Sequence, residues 1–289
     1  MKVLVTGAGG QLAHAVTARM QVKHQVISLT RKELYLTRYL EVMDVVREVK
    51  PDAIINGAAY NDVDGAEDDP VAAMAVNAFG VRALAQAAVA TRAILVHFST
   101  DFVFDGNADQ PYTEQSIPNP QSAYAISKLI GEWFAAEAQH YILRVESLFG
   151  GGLLPFREGR KLGSSLDRIA DAILAGEEVR AFTDRTVTPS YVDDVAEATA
   201  VLLASTPPEG IYHCVGSDMG TWMDLAAHLA AELKRPSRII PVQMASVKLK
   251  AKRPQFCALS NVKLRSLGIV MPTWQDAVRR YAKARLNVV

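Results

Sequence analysis

The chain has no excess of charge of either sign, since its 289 residues include 31 lysines and arginines against 31 aspartates and glutamates. It also has no long run of like charges. Nucleic-acid-binding domains usually carry a basic patch or stripe, and membrane-surface helices carry a basic face. We therefore expect neither nucleic acid nor a membrane as a partner, and a small molecule instead.

Cysteine is scarce: Cys214 and Cys257 are far apart, and the spacing around them is not that of a metal-binding motif. A disulfide framework needs more cysteines than this, so we expect two buried or idle thiols in a reducing compartment. The sequence also lacks a charged leader followed by a long apolar stretch, and we expect no membrane-spanning segment. Together these absences favour a cytoplasmic protein.

Strand-like and helix-like segments alternate through the first half of the chain, and 49% of all residues are hydrophobic. The strand-like segments are 2–6, 25–29, 53–56, 93–99 and 141–144, and the helical segments are 11–20, 39–49, 70–90 and 123–139. Such alternation is typical of a parallel sheet with helices on both faces. We predict an α/β fold with a doubly wound parallel (Rossmann) sheet, in which ligands bind beyond the carboxyl ends of the strands.

A glycine-rich turn, Gly7-Ala8-Gly9-Gly10-Gln11-Leu12, connects the first strand to the first helix. Glycines let the backbone approach a pyrophosphate, and the helix N-terminus behind them offers unpaired N–H groups. A strand before the turn and a helix after it are the context that a dinucleotide-binding fingerprint requires. We predict that Gly7, Gly10, Gln11 and Leu12 bind a dinucleotide, the alternative being a plain connection.

The residues after the second strand bear on the choice of dinucleotide. A site for the unphosphorylated cofactor usually has an acidic residue here, but this chain has Thr30-Arg31-Lys32. Cationic side chains at this point favour a 2′-phosphate. We predict NADPH as the cofactor, bound through Arg31, with NADH as the second choice. The alternative is that both cations are solvated loop residues.

Tyr124 and Lys128 are four residues apart in a helical segment and so share one face. The lysine ammonium would then favour the ionised form of the phenol and produce an acid poised to exchange a proton. Thr100, at the end of a strand, would add a hydrogen bond to a substrate oxygen. We predict catalytic roles for these three residues. A Tyr/Lys pair alone also occurs on ordinary surface helices.

Beyond residue 150 the pattern loosens: the glycines up to Gly163 favour a flexible loop, and a helix is predicted to follow it from about Ser165 to Ala175. We predict an NADP-binding Rossmann domain over 1–150 and a smaller, partly interleaved, mainly substrate-binding domain over 151–289. The segment 187–212 is expected to return to the first domain.

In combination these motifs resemble the extended short-chain dehydrogenase/reductases, and within them the dTDP-4-dehydrorhamnose reductase family. The resemblance runs nearly from end to end, and the segment 97–106 is its most specific part. It is carried by Gly10-Gln11-Leu12, Asn56-Gly57-Ala58-Ala59-Tyr60, Val63-Asp64, Ala66-Glu67, Asn77, Ser99-Thr100-Asp101-Phe102-Val103-Phe104, Tyr124, Lys128, Gly131-Glu132, Arg253-Pro254 and Ala258-Leu259.

The resemblance implies an NADPH-dependent reductase of a keto group on a nucleotide-linked deoxysugar. Ala58, Ala59 and Tyr60 would lie along the cofactor, and both Tyr124 and Lys128 would contact it. The predicted substrate-binding residues are Thr100, Asp101 and Arg253, the last of which would neutralise the substrate diphosphate. A surface arginine is the alternative for Arg253.

Several positions bear on which reaction the resemblance implies. Related dehydratases place a glutamate after the Thr-Asp pair, where this chain has Phe102, so dehydration is disfavoured. The family usually has a lysine after Val-Asp, where this chain has Gly65. Its Arg-Thr-Ser-Trp segment appears here as Arg144-Val145-Glu146-Ser147-Leu148. Some relatives hold a divalent metal through a glutamate where this chain has Ala15. We therefore predict no metal.

The resemblance leaves a second hypothesis open, because it extends to the regulatory β subunit of methionine adenosyltransferase. Such a protein binds NADP but is not a catalyst, and it could tolerate the changes at Gly65 and Leu148. The sequence leaves open the nucleotide, the sugar stereochemistry and the direction of reaction. A homodimer is a further hypothesis, since the alanine-rich helix over 70–90 could pack against its copy.

Overall fold

The computed structural model describes residues 1–150 and 163–287. The first half contains β1 (Lys2–Thr6), α1 (Gln11–Gln21), β2 (Gln25–Leu29), α2 (Tyr39–Val49), β3 (Ala53–Asn56), α3 (Gly65–Asp68), α4 (Pro70–Met74), α5 (Gly80–Thr91), β4 (Ile94–Thr100), α6 (Ala123–Ala135), β5 (His140–Val145) and β6 (Leu148–Phe149). The loop predicted through Gly163 falls mostly on residues 151–162, which lie outside the described residues.

The second half contains α7 (Ser165–Ala175), β7 (Val179–Phe182), β8 (Thr186–Val187), β9 (Ser190–Tyr191), α8 (Val192–Ser205), β10 (Gly210–His213), β11 (Gly220–Thr221), α9 (Trp222–Glu232), β12 (Ile239–Val242), α10 (Val262–Ser266) and α11 (Trp274–Leu286). The helix predicted from Ser165 to Ala175 has these same ends. Its boundaries are well marked in the sequence because Ser164 forms a capping box with Asp167 and Gly176 ends the helix with a left-handed φ.

Six of the described strands form a parallel sheet in the order β10-β5-β4-β3-β1-β2. Its central strands read as continuous apolar runs because helices cover both faces, and β3 is buried along its whole length. The predicted α/β fold with a doubly wound parallel sheet is confirmed. The order reverses beside β1, and this is where such sheets open a ligand crevice.

The second half of the chain is joined to the first through shared elements. Strand β10 pairs with β5 at the edge of the main sheet, and helix α8 packs against α1. Short strand pairs, β6 with β9, β8 with β11 and β7 with β12, build the remainder above the sheet. One apolar core runs from β1 and α1 through α8 to α9 and α11, so the two halves cannot be separated by a single cut.

Helices α4 and α5 form one continuous segment, Pro70–Thr91, joined by a π-helical turn over Ala75–Phe79. Among the described residues this segment alone is long and apolar enough to cross a membrane by length and composition. The sequence had led us to expect no such segment. Since 56% of its most apolar stretch is buried inside the protein, a core helix explains it as well.

Candidate functional site

A crevice of about 600 Å³ opens at the carboxyl ends of the sheet strands. Most of the predicted site residues line it: Gly10, Gln11, Leu12, Ala58, Ala59, Thr100, Asp101, Tyr124, Lys128 and Arg253. They come from both halves of the chain. Three predicted cofactor-binding residues, Gly7, Arg31 and Tyr60, are not among the described residues that line it.

The glycine turn has the shape that a pyrophosphate requires. Gly7 has a φ of +71°, and a Cβ at this position would lie 2.5 Å from the backbone nitrogen of Ala58. The Gly10 N–H donates to the Gly7 carbonyl at 2.9 Å, and Gly10 precedes helix α1, whose first turn has no acidic residue. The backbone therefore forms a cradle that a side chain would fill, in front of a positive helix end. These residues fit a dinucleotide.

Two guanidinium groups flank one ring at the end of β2. The Cζ atom of Arg31 lies 5.9 Å from the centre of the Tyr35 ring, and that of Arg38 lies 4.5 Å from it. Arg38 also donates to Glu41 at 3.1 Å. The sequence analysis missed Arg38 because it lies outside the motif, but the positive charge predicted from Arg31 is reinforced by it.

Helix α6 places the phenol of Tyr124 at the crevice. The helix begins where the Ser122 hydroxyl accepts from the Ala125 N–H at 3.3 Å, so Tyr124 falls in the first turn. Its ring meets Phe102 edge-on, with 5.7 Å between centroids. Burial raises the pKa of Tyr124, the charge of Asp101 adds to this, and a hydrogen bond with Thr100 opposes both.

The direction in which the pKa of Tyr124 is shifted corrects the expectation from the sequence. We expected the Lys128 ammonium to favour the phenolate, but burial and Asp101 move the pKa of Tyr124 upwards instead. A raised pKa keeps the phenol protonated at neutral pH, which suits a group that must give a proton. Sequence spacing could not reveal this, because desolvation depends on the whole fold.

Lys128 lies one turn further along the same helix and is only 3% exposed. Its Nζ donates to the Phe98 carbonyl at 2.6 Å, which ties the ammonium to the end of β4. Burial lowers the pKa of Lys128 to about 8, and the charge of Glu132 opposes this shift. Glu132 in turn forms a buried bidentate ion pair with Arg144.

Thr100, the third predicted catalytic residue, is hydrogen-bonded to a buried acid. Its Oγ1 lies 2.9 Å from Oδ1 of Asp101 and accepts from the Phe102 N–H at 3.2 Å. Asp101 is buried at 3% exposure. Burial raises the pKa of this carboxyl, while the charge of Arg185 opposes the shift. The sequence analysis missed Arg185, which also lines the crevice, because no motif in the sequence marks it.

Arg253 reaches the crevice from the second half of the chain. Its guanidinium donates to both oxygens of Asp64, at 3.0 and 2.8 Å, and the Ala251 N–H donates to the same carboxylate at 2.9 Å. The hydrogen bond from Arg253 is the largest cause of the lowered pKa of Asp64. The residue is therefore more than a solvated surface arginine, and its role toward a diphosphate stays a prediction.

The structure also accounts for one departure from the family pattern. The Gly65 N–H donates to Asp62 at 2.9 Å, and a Cβ at position 65 would lie 2.5 Å from the Asp62 carboxylate. A lysine at this position would have to displace Asp62. At the other departure, Leu148 lines the crevice and follows Ser147, whose φ is +43°.

Comparison with known proteins identifies the relatives of this chain. A dTDP-4-dehydrorhamnose reductase of Burkholderia thailandensis is 33% identical over 96% of this chain and 97% of its own. The enzyme of the same name from Sinorhizobium fredii is 32% identical over 99% and 98%. These relatives are named as reductases, which favours the reductase hypothesis over a regulatory subunit.

Solved structures of proteins with the same name resemble this chain over nearly its whole length. A dTDP-4-dehydrorhamnose reductase of Clostridium acetobutylicum superimposes with a TM-score of 0.91 at 30% identity, covering 99% of this chain and 100% of that one. The Bacillus anthracis enzyme, solved in complex with NADP, gives 0.89 at 28% identity over 97% and 98%. The model of the RmlD substrate binding domain matches residues 1–286. The chain thus belongs to the RmlD family, that of the dTDP-4-dehydrorhamnose reductases.

Proposed function

We propose that this protein is an NADPH-dependent reductase of the keto group of a nucleotide-linked 4-keto-6-deoxysugar, in line with relatives that are named dTDP-4-dehydrorhamnose reductase. The observation that carries the proposal is the meeting, in one crevice, of a buried phenol, a buried lysine and a glycine-rich turn. NADH remains the second choice of cofactor.

The proposed cofactor contacts are those predicted from the sequence motifs, and most of these residues line the crevice. Gly7, Gly10, Gln11 and Leu12 would hold the pyrophosphate, and Arg31 the adenosine phosphate. Ala58, Ala59 and Tyr60 would lie along the dinucleotide, with Lys128 at its nicotinamide ribose. When bound, NADPH supplies the hydride for the carbonyl carbon.

Side chains of the protein itself supply the proton that the reduced carbonyl oxygen takes up. As negative charge develops on the carbonyl oxygen, the Tyr124 phenol donates its proton to that oxygen. Lys128, held by the Phe98 carbonyl, stabilises the resulting phenolate with its charge. Thr100 orients the oxygen through its hydroxyl, and Asp101 supports Thr100.

Substrate recognition is assigned to both halves of the chain. Arg253 would exchange its partner Asp64 for the substrate diphosphate, since both side chains line the crevice. We therefore retain the two proposed domains, 1–150 for NADP binding and 151–289 mainly for substrate binding, with 187–212 returning to the first.

We also propose that the protein works as a homodimer. Val71, Phe79 and Trp133 are 76%, 57% and 63% exposed. The Phe79 ring lies 6.1 Å from that of Phe134, so the α4–α5 segment and α6 present one apolar face. Exposed apolar patches of this kind mark interfaces. We retain a cytoplasmic location as a proposal, because Cys214 and Cys257 are buried free thiols.

The function is tested by following NADPH oxidation with a panel of nucleotide-linked 4-keto-6-deoxysugars. We expect turnover with at least one of them and a preference for NADPH that Arg31→Ala reduces. No oxidation across the panel, together with co-purification of a methionine adenosyltransferase, would support the regulatory subunit instead.

A further inference from the structure

Two arginines meet one tyrosine ring in the segment between β2 and α2. The Cζ atom of Arg38 lies 4.5 Å from the centre of the Tyr35 ring, and that of Arg31 lies 5.9 Å from it. Cations at such distances are attracted to the face of an aromatic ring. Arg31 is assigned above to the adenosine phosphate, whereas Arg38 and Tyr35 have no role in the proposed function.

The fold fixes this segment beside the glycine-rich turn. The Ala8 N–H of that turn donates to the carbonyl of the last residue of β2 at 3.0 Å. Leu34 and Leu36 are 4% and 6% exposed and anchor the segment in the apolar core, with the half-buried Tyr35 between them. Ala58, a proposed cofactor contact, packs against the same apolar cluster. The Tyr35 ring is therefore held next to two parts of the proposed dinucleotide site, the glycine-rich turn and Ala58.

The charges of this segment favour an anion as the ligand. Two guanidinium groups on one ring repel each other, and a bound anion relieves that repulsion. Arg38 pairs with Glu41 at 3.1 Å, while Arg31 has no ion pair among the described residues. The Arg38–Glu41 pair is exposed, and such pairs stabilise a protein little. The one acidic residue between β2 and α2, Glu33, accepts from the N–H and the hydroxyl of Thr30, at 2.8 Å each.

A 2′-phosphate has the charge that two arginines neutralise. A phosphate monoester carries about −1.5 to −2 elementary charges at neutral pH, which is more than one guanidinium compensates. The planar fork of each arginine donates paired hydrogen bonds to phosphate oxygens. Arg31 alone would leave part of the negative charge uncompensated, and Arg38 is the second cation on the same ring.

We propose that Arg38 is a second determinant of the preference for NADPH, and that the Tyr35 ring positions it with Arg31 on the 2′-phosphate. This rests on the function proposed above, which supplies NADPH as the cofactor and Arg31 as its first phosphate contact. On binding, Arg38 exchanges Glu41 for the phosphate, so Glu41 competes for the guanidinium. Tyr35 is a positioning residue, since it acts on the phosphate only through the two arginines.

The test measures binding, because NADP+ and NAD+ differ only in the 2′-phosphate. Titration calorimetry on the whole chain gives a Kd for each dinucleotide without any turnover. We expect Arg38→Ala to raise the Kd for NADP+ about tenfold, through the loss of one charge-assisted contact. The Kd for NAD+ should change by less than about twofold, since NAD+ lacks that phosphate.

The chain offers a matched control for Arg38. Arg47, in helix α2, has a side chain that is 62% exposed against 64% for Arg38, and it pairs with Asp44, also three residues away, at 3.6 Å. Arg47→Ala should leave both Kd values unchanged. An unchanged Kd for NADP+ in Arg38→Ala, or an equal loss of both dinucleotides, would overturn the proposal.

Two further substitutions separate phosphate binding from a structural role. Glu41→Gln removes the competing carboxylate and should lower the Kd for NADP+ by about two- to fivefold, the range of an exposed ion pair. Weaker NADP+ binding in this variant would contradict the exchange. Tyr35→Phe keeps the ring and should keep the preference for NADP+, whereas Tyr35→Leu should reduce it. Equal preference in these two variants would overturn the positioning role of the ring.

The binding data also distinguish this proposal from the reductase function. A wild type that binds NADP+ no more tightly than NAD+ would overturn the roles of both Arg38 and Arg31. A wild type that prefers NADP+ but reduces no nucleotide-linked keto sugar would end the reductase function. The Kd values of Arg38→Ala would then still decide whether Arg38 recognises the phosphate.

Discussion

At the scale of single residues, burial decides the chemistry of the crevice. The sequence placed Tyr124 and Lys128 on one helical face, but the fold removes both from water. Burial shifts their pKa values in opposite directions, upwards for the phenol and downwards for the ammonium. The Tyr124 phenol therefore stays protonated at neutral pH, whereas the Lys128 ammonium loses its proton as the pH rises through about 8.

Replacing Tyr124 by phenylalanine removes the proposed proton donor and keeps the ring that packs on Phe102. We expect NADPH binding to be retained and kcat to fall by about 10²–10⁴-fold, the usual contribution of a general acid. Binding is measured by NADPH fluorescence and kcat by absorbance. Tyr141→Phe, which loses only a hydrogen bond to the Pro207 carbonyl, is the matched control. Near-normal turnover in Tyr124→Phe would remove the residue from its role.

The lowered pKa of Lys128 predicts two opposite pH effects. Turnover should fall as the pH rises through about 8, because the ammonium loses its charge. Stability should rise between about pH 8 and 10.5, since there the unfolded lysine still binds a proton that the folded one has lost. The expected gain is at most about 3 kcal/mol. The free energy of unfolding, measured with urea at several pH values in this range, should rise more steeply with pH in the wild type than in Lys128→Met. Equal dependence on pH in the two proteins would contradict the lowered pKa of Lys128.

At the scale of elements, local signals predicted the strands and helices whose ends are marked by a cap or a glycine. Helix α7 has its predicted ends because the capping box and the C-terminal glycine are local. The 70–90 segment was predicted as one helix, and the π-helical turn inside it has no local marker in the sequence. The short pairs β6–β9 and β8–β11 were not predicted, because their partners are distant in the chain.

The glycine turn can be tested with two neighbouring substitutions. Gly7→Ala puts a Cβ 2.5 Å from the Ala58 nitrogen at a φ of +71°, whereas Gly9 has nothing within 4 Å of its Cβ position. We expect Gly7→Ala to lower the free energy of unfolding by more than about 1 kcal/mol and to weaken NADPH binding. Gly9→Ala is the control and should change stability by less. Equal effects of the two in urea unfolding would show that the close approach at Gly7 is unimportant.

At the scale of the whole molecule, the crevice exists because the second half of the chain folds back on the first. Strand β10 extends the sheet that begins at β1, and α8 packs on α1 beneath the glycine turn. Arg253 and Asp64, 189 positions apart, then meet at the crevice. Because of this interleaving, the predicted boundary at residue 150 does not divide the packing, and its meaning for function stays a prediction.

The proposed homodimer can be tested by a substitution in the exposed apolar face that contains Val71, Phe79 and Trp133. Trp133→Glu places a charge in the exposed apolar face, and we expect it to convert the protein to a monomer, because burying an unpaired charge at an interface is costly. Light scattering with size-exclusion chromatography measures the mass. Val22→Glu, which changes a 70% exposed side chain after α1, is the control. A monomeric wild type would contradict the dimer.

The sequence by itself determined the features that are local in the chain. These are the glycine cradle, the helical spacing of Tyr124 and Lys128, the strand end at Thr100, and the alternation that specifies a parallel sheet. Each depends on residues within a few positions of one another, where backbone geometry alone fixes the arrangement.

Only the tertiary structure decided the rest. The approach of Glu146 and Cys257 to Asp101, the pairing of Arg253 with Asp64 and the raised pKa of Tyr124 depend on residues brought together from distant parts of the chain. Desolvation acts through all the atoms that surround a group, whatever their position in the sequence. Chain spacing therefore predicted the catalytic residues, and burial in the folded protein shifts the pKa values of Tyr124 and Lys128.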